Sequence, residues 1–107
     1  GGTANTRERG VRKARATVDD ERSKAIRDFY QIYRPLQKKY NLRMHSHASI
    51  YDEAYIRIWE YRGEVKGECV VYAKEEDEAA CYRRATDELI NYSKRKEEVR
   101  GNERKAG

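Results

Sequence analysis

Residues 42–51 read Leu42-Arg-Met-His-Ser-His-Ala-Ser-Ile-Tyr51, and their alternation decides the fold. Leu42, Met44, Ala48 and Ile50 fall on one side; Arg43, His45, His47, Ser49 and Tyr51 fall on the other. That period of two predicts a half-buried strand. Asp52-Glu53 marks a turn. From Ala54 to Tyr61 the pattern repeats, with Ala54, Ile56 and Ile58 inward and Tyr55, Arg57, Trp59 and Tyr61 outward. Arg62-Gly63 predicts a second turn. Val65 to Ala73 reads as a third strand with Val65, Cys69, Val71 and Ala73 inward and Lys66, Glu68, Val70 and Tyr72 outward. Gly67 is a candidate bulge that would change this parity.

Helical spacing flanks the strands on both sides. Ile26, Phe29, Tyr30 and Tyr33 recur at three and four residues, after a start near Thr17 that Asp19, Asp20 and Glu21 favour electrostatically. Pro35, the only proline, ends or kinks this helix near Arg34. Leu36 and Tyr40 continue its face, so a kinked helix reaching about Lys39 is expected. A second helix starts near Lys74 or Glu75, its apolar stripe Tyr82, Ala85, Leu89 and Tyr92, with Cys81 and Ile90 beside it. The acids Glu75, Glu76, Asp77 and Glu78 suit its N-terminus, and Lys94-Arg95-Lys96 its C-terminus. The predicted fold is α+β: helix, three-stranded antiparallel meander, helix, in two layers.

The chain has 107 residues, 40% charged and 37% hydrophobic, so one thin-cored domain is expected and a two-domain enzyme with a deep cofactor cleft is excluded. The net charge of +5 is uneven. Residues 1–18 carry +4, residues 75–92 carry −4, and residues 93–107 carry +3. Residues 1–16 have almost nothing to bury, and residues 97–107 are similar. Both are read as disordered basic ends on a domain spanning residues 17–96. Basic arms imply either a polyanion partner or a solubilising tail. No apolar run reaches a membrane span and no secretory leader is apparent, so a cytoplasmic protein without membrane contact is expected. Cys69 and Cys81 make no disulfide framework and read as small core residues.

Two helices can cover only one face of a three-stranded sheet. The uncovered face would show His45, His47, Tyr51, Tyr55, Arg57, Trp59, Tyr61, Lys66, Val70 and Tyr72. Rings stack on unpaired bases and arginines reach phosphates, at roughly 1–3 kcal/mol per stacked base. The same rings anchor protein interfaces, and a homodimer would also bury them. Cross-strand aromatic pairs also simply stabilise sheets. Nine tyrosines against one phenylalanine favour a partner over a dry core. The residues expected to make contact are Arg7, Arg9, Arg12, Lys13 and Arg15 in the arm, and Tyr55, Arg57, Trp59 and Tyr61 on the sheet.

Catalysis is not expected. His45 and His47 share a strand face, yet Cys69 points elsewhere and only a fortunate register would bring Glu60 or Glu68 in as a further metal ligand. Ser46 and Ser49 lie near the histidines without an orienting acid, and no P-loop, GxSxG, HExxH or GxGxxG pattern occurs. No cofactor or metal is expected.

The helix–three strands–helix order resembles a double-stranded-RNA-binding domain over about residues 19–96. That family grips phosphate with a lysine-rich start of the second helix, where this chain has Glu75-Glu76-Asp77-Glu78; a standard duplex-RNA reader is therefore not implied. The basic arm Thr6-Arg-Glu-Arg-Gly-Val-Arg-Lys-Ala-Arg15 on a small tyrosine-rich body is also similar in layout to phage and mobile-element accessory proteins, including anti-CRISPR inhibitors. This second resemblance implies binding to an RNA-guided nuclease or its guide RNA. The two functional expectations are thus a binder of nucleic acid or nucleoprotein, and an inhibitor or adaptor that uses the same sheet face against a protein.

Overall fold

The computed structural model describes residues 2–49 and 51–106, with side chains described over residues 20–49 and 51–101. Five elements follow one another: α1 (Gly2–Tyr40), β1 (Leu42–His47), β2 (Ala54–Arg62), β3 (Val65–Glu75) and α2 (Glu78–Ala106). The strands form one antiparallel sheet in the order β1-β2-β3. The α+β meander predicted from the alternation is the fold observed.

Both helices pack on the side of the sheet that carries Ile56 and Ile58. Phe29, Tyr33 and Leu36 from α1 meet Leu42, Ile56, Ile58, Val71 and Ala73 from the sheet and Cys81, Ala85, Leu89 and Tyr92 from α2 in one buried cluster. Phe29 sits at its centre, stacked on Tyr33 at 5.4 Å and edge-on to Tyr82 at 5.3 Å. Such ring pairs add to what area burial alone contributes.

α1 runs through Pro35 to Tyr40. A proline inside a helix forfeits one hydrogen bond. Burial of Tyr33 and Leu36 on either side of it offsets that loss, since ending the helix at Arg34 would withdraw Leu36 from the core. The helix stops at Asn41, whose φ of 54° is left-handed. Asparagine is among the few residues other than glycine that accept this conformation at a helix C-terminus. Its Nδ2 donates to the carbonyls of Tyr61 (3.1 Å) and Gly63 (3.2 Å), and its own carbonyl accepts from Tyr61 N at 3.0 Å. The end of α1 is thereby tied to the β2–β3 turn, where Gly63 takes a φ of 59°.

Four expectations change. α1 has Gly2–Tyr40 as its bounds rather than starting near Thr17; the mobile arm expected over residues 1–16 falls outside the residues whose side chains are described. β1 ends at His47, so Tyr51 is not on the sheet; it is 88% exposed in the β1–β2 loop, its N–H donating to Ser49 Oγ at 3.1 Å. α2 begins at Glu78, because β3 continues to Glu75 and Asp77 is the cap. Asp77 Oδ2 accepts from Ala80 N at 2.9 Å, the usual geometry of a capping aspartate. At the other end α2 passes residue 96, and Glu97 accepts from Lys39 Nζ at 2.6 Å and Tyr40 Oη at 3.1 Å. These donors hold the Glu97 carboxyl below its ordinary range, Lys39 first.

The fourth change is in β3. Ile58 pairs with Val71, but Trp59 pairs with Cys69 and Tyr61 with Lys66, so the register shifts twice. Each shift inserts unpaired chain and breaks the alternation. Val71 and Ala73 are buried as expected, while Val65 is 69% exposed and Cys69 is exposed. Val70, assigned to the open side, packs partly buried against the core. Cys69 is therefore not a core residue; Cys81 is.

Candidate binding face of the sheet

β1 places Arg43, His45 and His47 opposite Trp59, Arg57 and Tyr55 of β2. β3 places Tyr72 and Lys74 opposite Arg57 and Tyr55, and Lys66 opposite Tyr61. Neighbours across an antiparallel pair share a face, so these residues form one surface on the side away from both helices. The sequence-predicted residues Tyr55, Arg57, Trp59 and Tyr61 are brought together here. Arg7, Arg9, Arg12, Lys13 and Arg15 have side chains outside the described residues.

Cations and rings interleave across this surface. Lys66 Nζ lies 3.8 Å from the centroid of Trp59, and the Arg43 guanidinium 4.4 Å from that of Tyr61. Arg57 sits between two rings, 4.8 Å from Tyr72 and 5.5 Å from Tyr55. The imidazole of His47 stacks on Tyr55 at 5.5 Å, and His45 Nδ1 lies 3.5 Å from the Tyr55 hydroxyl. Tyr55, Trp59 and Tyr61 are half-buried and Tyr72 is 42% exposed. Arg43 also pairs with Glu64 at 3.0 Å, in the turn at the border of the face.

This arrangement can hold flat, negatively charged ligands. Ring faces stack on bases, and guanidinium planes already lying on rings offer further stacking surfaces. Arg43, Arg57, Lys66 and Lys74 place positive charge among these rings, the kind of charge that pairs with phosphate oxygens. Arg43 and Lys74 were not among the residues singled out from sequence. The alternation had already set Arg43 outward beside His45 without its being counted on the uncovered face; finding Lys74 requires knowing that β3 extends past Ala73.

The opposite, helix-covered side of β2 carries one acid. Glu60 accepts from the Tyr92 hydroxyl and lies 3.0 Å from Lys96 Nζ. Burial opposes its charge, but Tyr92 and Lys96 outweigh this and hold the carboxyl below its ordinary range. Burial, then Glu60 itself, pushes the Tyr92 phenol up. This triad ties β2 to α2 and lies apart from the open face. Among the described residues no three His, Cys, Asp or Glu gather as a metal site, and none of the helices is long and apolar enough to cross a membrane.

Fold and face together define a small two-layer α+β chain with an aromatic–cationic sheet surface that is uncovered among the described residues. Compared with protein-family models, curated proteins and solved structures, the chain matches none.

Proposed function

We propose that this chain is a non-enzymatic binding protein that associates with nucleic acid, free or within a nucleoprotein such as an RNA-guided nuclease. The observation that carries this reading is the alternation of Lys66–Trp59, Arg43–Tyr61 and Tyr55–Arg57–Tyr72 across one uncovered face. Rings without cations would suit a dry interface, and cations without rings would suit duplex phosphates. Their interleaving suits a single strand, whose bases and phosphates are both open. The basic residues Arg7, Arg9, Arg12, Lys13 and Arg15 add long-range attraction in this reading.

The test is fluorescence anisotropy of labelled single-stranded and duplex RNA and DNA at several salt concentrations. Binding should favour single strands and weaken with salt. Trp59→Ala should lower affinity about tenfold with little change in salt slope. Glutamine at the five basic positions of residues 7–15 should flatten the slope instead. Absence of binding at low salt would overturn the proposal.

A second reading is an inhibitor or adaptor of the phage type that docks the same face on a protein. Trp, Tyr and Arg are the side chains that most often dominate protein interfaces, and this face is built from them. Under that reading Trp59→Ala abolishes capture of a nuclease while changes at residues 7–15 do little.

A further inference from the structure

The two edges of the sheet are treated differently. On the β3 edge, Glu88 of α2 accepts from Tyr72 N at 3.4 Å, and Arg84 donates to the Lys74 carbonyl at 3.4 Å. Arg84 is itself fixed by Glu75 at 3.1 Å and Glu88 at 3.3 Å. Side chains from α2 thus occupy backbone groups that another strand would need. Covering an edge in this way is a common protection against unwanted pairing.

β1 has no such cover among the described residues. Tyr61 N donates to Asn41 O, which sets the phase of the ladder. In an antiparallel pair, alternate residues direct both backbone groups toward the neighbour. Arg43, His45 and His47 therefore face β2, and Leu42, Met44 and Ser46 direct N–H and C=O away from the sheet. Alongside this edge runs a groove of about 500 Å³ between β1 and α1, lined by Tyr30, Tyr33, Arg34, Gln37, Arg43 and Met44. Its lining holds two guanidinium groups and no carboxylate; Arg43 also reaches Glu64 at 3.0 Å, and Arg34 has no such acid partner among the described residues.

We propose that the outer edge of β1 is a strand-addition site for an extended acidic segment of a partner protein. The added strand would pair its main chain with Met44 and Ser46. Its side chains would alternate between the groove, with apolar walls at Tyr30, Tyr33 and Met44, and the open side, where Arg43, His45 and His47 stand. Main-chain pairing gives such complexes their affinity and the alternate side chains their specificity. Charge selects the occupant. The β1 strand itself, Leu42–His47, carries no acid to offer Arg34, so a second copy paired through β1 would bring another Arg43 and no carboxylate of its own strand to the groove. A nucleic-acid strand has no alternating amide donors and acceptors to complete the edge. The site shares Arg43, His45 and His47 with the face proposed above for nucleic acid, but it is defined by the outward backbone groups of β1 and by the groove beside α1, which that face does not use.

The test uses the full chain and two labelled peptides, one repeating Glu-Val and one repeating Lys-Val, at neutral pH. Anisotropy should show binding of the acidic peptide and not of the basic one. Hydrogen exchange should show the Met44 and Ser46 amides newly protected in the complex. Ser46→Pro removes an outward N–H without touching the β1–β2 ladder and should weaken binding about tenfold. Arg34→Glu should weaken it as well, and covers the case in which the proline variant fails to fold. Equal binding of both peptides, no binding of either, or unchanged exchange at Met44 and Ser46 would each overturn the proposal. So would a stable dimer, by sedimentation of the chain alone, that hides the edge.

Discussion

The Lys66 ammonium stands 3.8 Å above the ring of Trp59, the only tryptophan in the chain. The contact belongs to the free protein, so a base that stacks on Trp59 must first move Lys66, and the nearest use for the displaced cation is a phosphate. Lys66→Gln should therefore reduce the salt dependence of oligonucleotide binding by about one counterion. Its effect on folding should stay within about 1 kcal/mol, the worth of an exposed cation–π pair. Salt titrations and denaturant melts separate the two effects.

Trp59 emission is a second handle on the same contact. Titration with a single-stranded oligonucleotide should change its intensity and position, and the repeating Glu-Val peptide, which pairs on the outer edge of β1 rather than on the ring, should change it less.

Leu89 is fully buried against the sheet. Leu89→Ala should cost about 2–5 kcal/mol in chemical denaturation, from lost burial plus the cavity left behind. In a domain this small that is a large part of the total stability.

Two glycines should respond to alanine for different reasons. At Gly67 an added Cβ would collide with the backbone carbonyl of Glu60, so the β2–β3 ladder must shift; the cost should be about 1–3 kcal/mol. At Gly63 the space is open and the φ of 59° is the obstacle, costing about 1–2 kcal/mol. Denaturant midpoints measure both, and only Gly67→Ala should also change backbone shifts along β2.

Stability should fall at both ends of the pH scale. Burial first, then Tyr30, pushes the Tyr33 phenol up to about 12, and Tyr92 is raised too. Unfolded phenols ionise near 10, so the folded state binds more protons above that value. Stability is fully present below pH 10 and is lost between about 10 and 12. Glu60 is lowered, so its contribution is present above the ordinary glutamate value near 4.5 and is lost as pH falls through the folded value. Tyr92→Phe should soften the alkaline loss and cost about 1 kcal/mol at neutral pH through the lost hydrogen bond to Glu60, which keeps Lys96 as its partner. Thermal melts across pH test both signs.

Through alternation over 42–51 and 54–61 the sequence showed two strands and the face carrying Tyr55, Arg57, Trp59 and Tyr61, but it overran the first, which ends at His47 although the pattern continues to Tyr51. It failed in Val65–Val70 because two register shifts change which residues oppose β2, and neither leaves a mark in composition beyond Gly67. It placed the start of α2 too early because acids suit a helix start whether they lie in it or before it; only the Asp77–Ala80 hydrogen bond fixes the cap. The meander made β1 an edge strand in the sequence, but that this edge is left open while the β3 edge is covered was not legible. The contrast depends on Glu88 and Arg84 reaching from α2 onto Tyr72 and Lys74 of β3, a packing detail that no local pattern shows. The charge of residues 7–15 was plain in the sequence, but its position relative to the sheet face was not.

Asn41 joins the end of α1 to the β2–β3 turn through three hydrogen bonds, while the β1–β2 loop makes its described hydrogen bond within itself, from Tyr51 to Ser49. The two connections therefore differ as places to cut or lengthen the chain. New termini or an inserted reporter domain at Asp52 should leave the fold standing, and the same change at Gly63 should release the helix end along with the turn. A circularly permuted form opened at Asp52 would carry its new ends beside His47 and Tyr55, which makes that loop a practical site for attaching a probe next to the face.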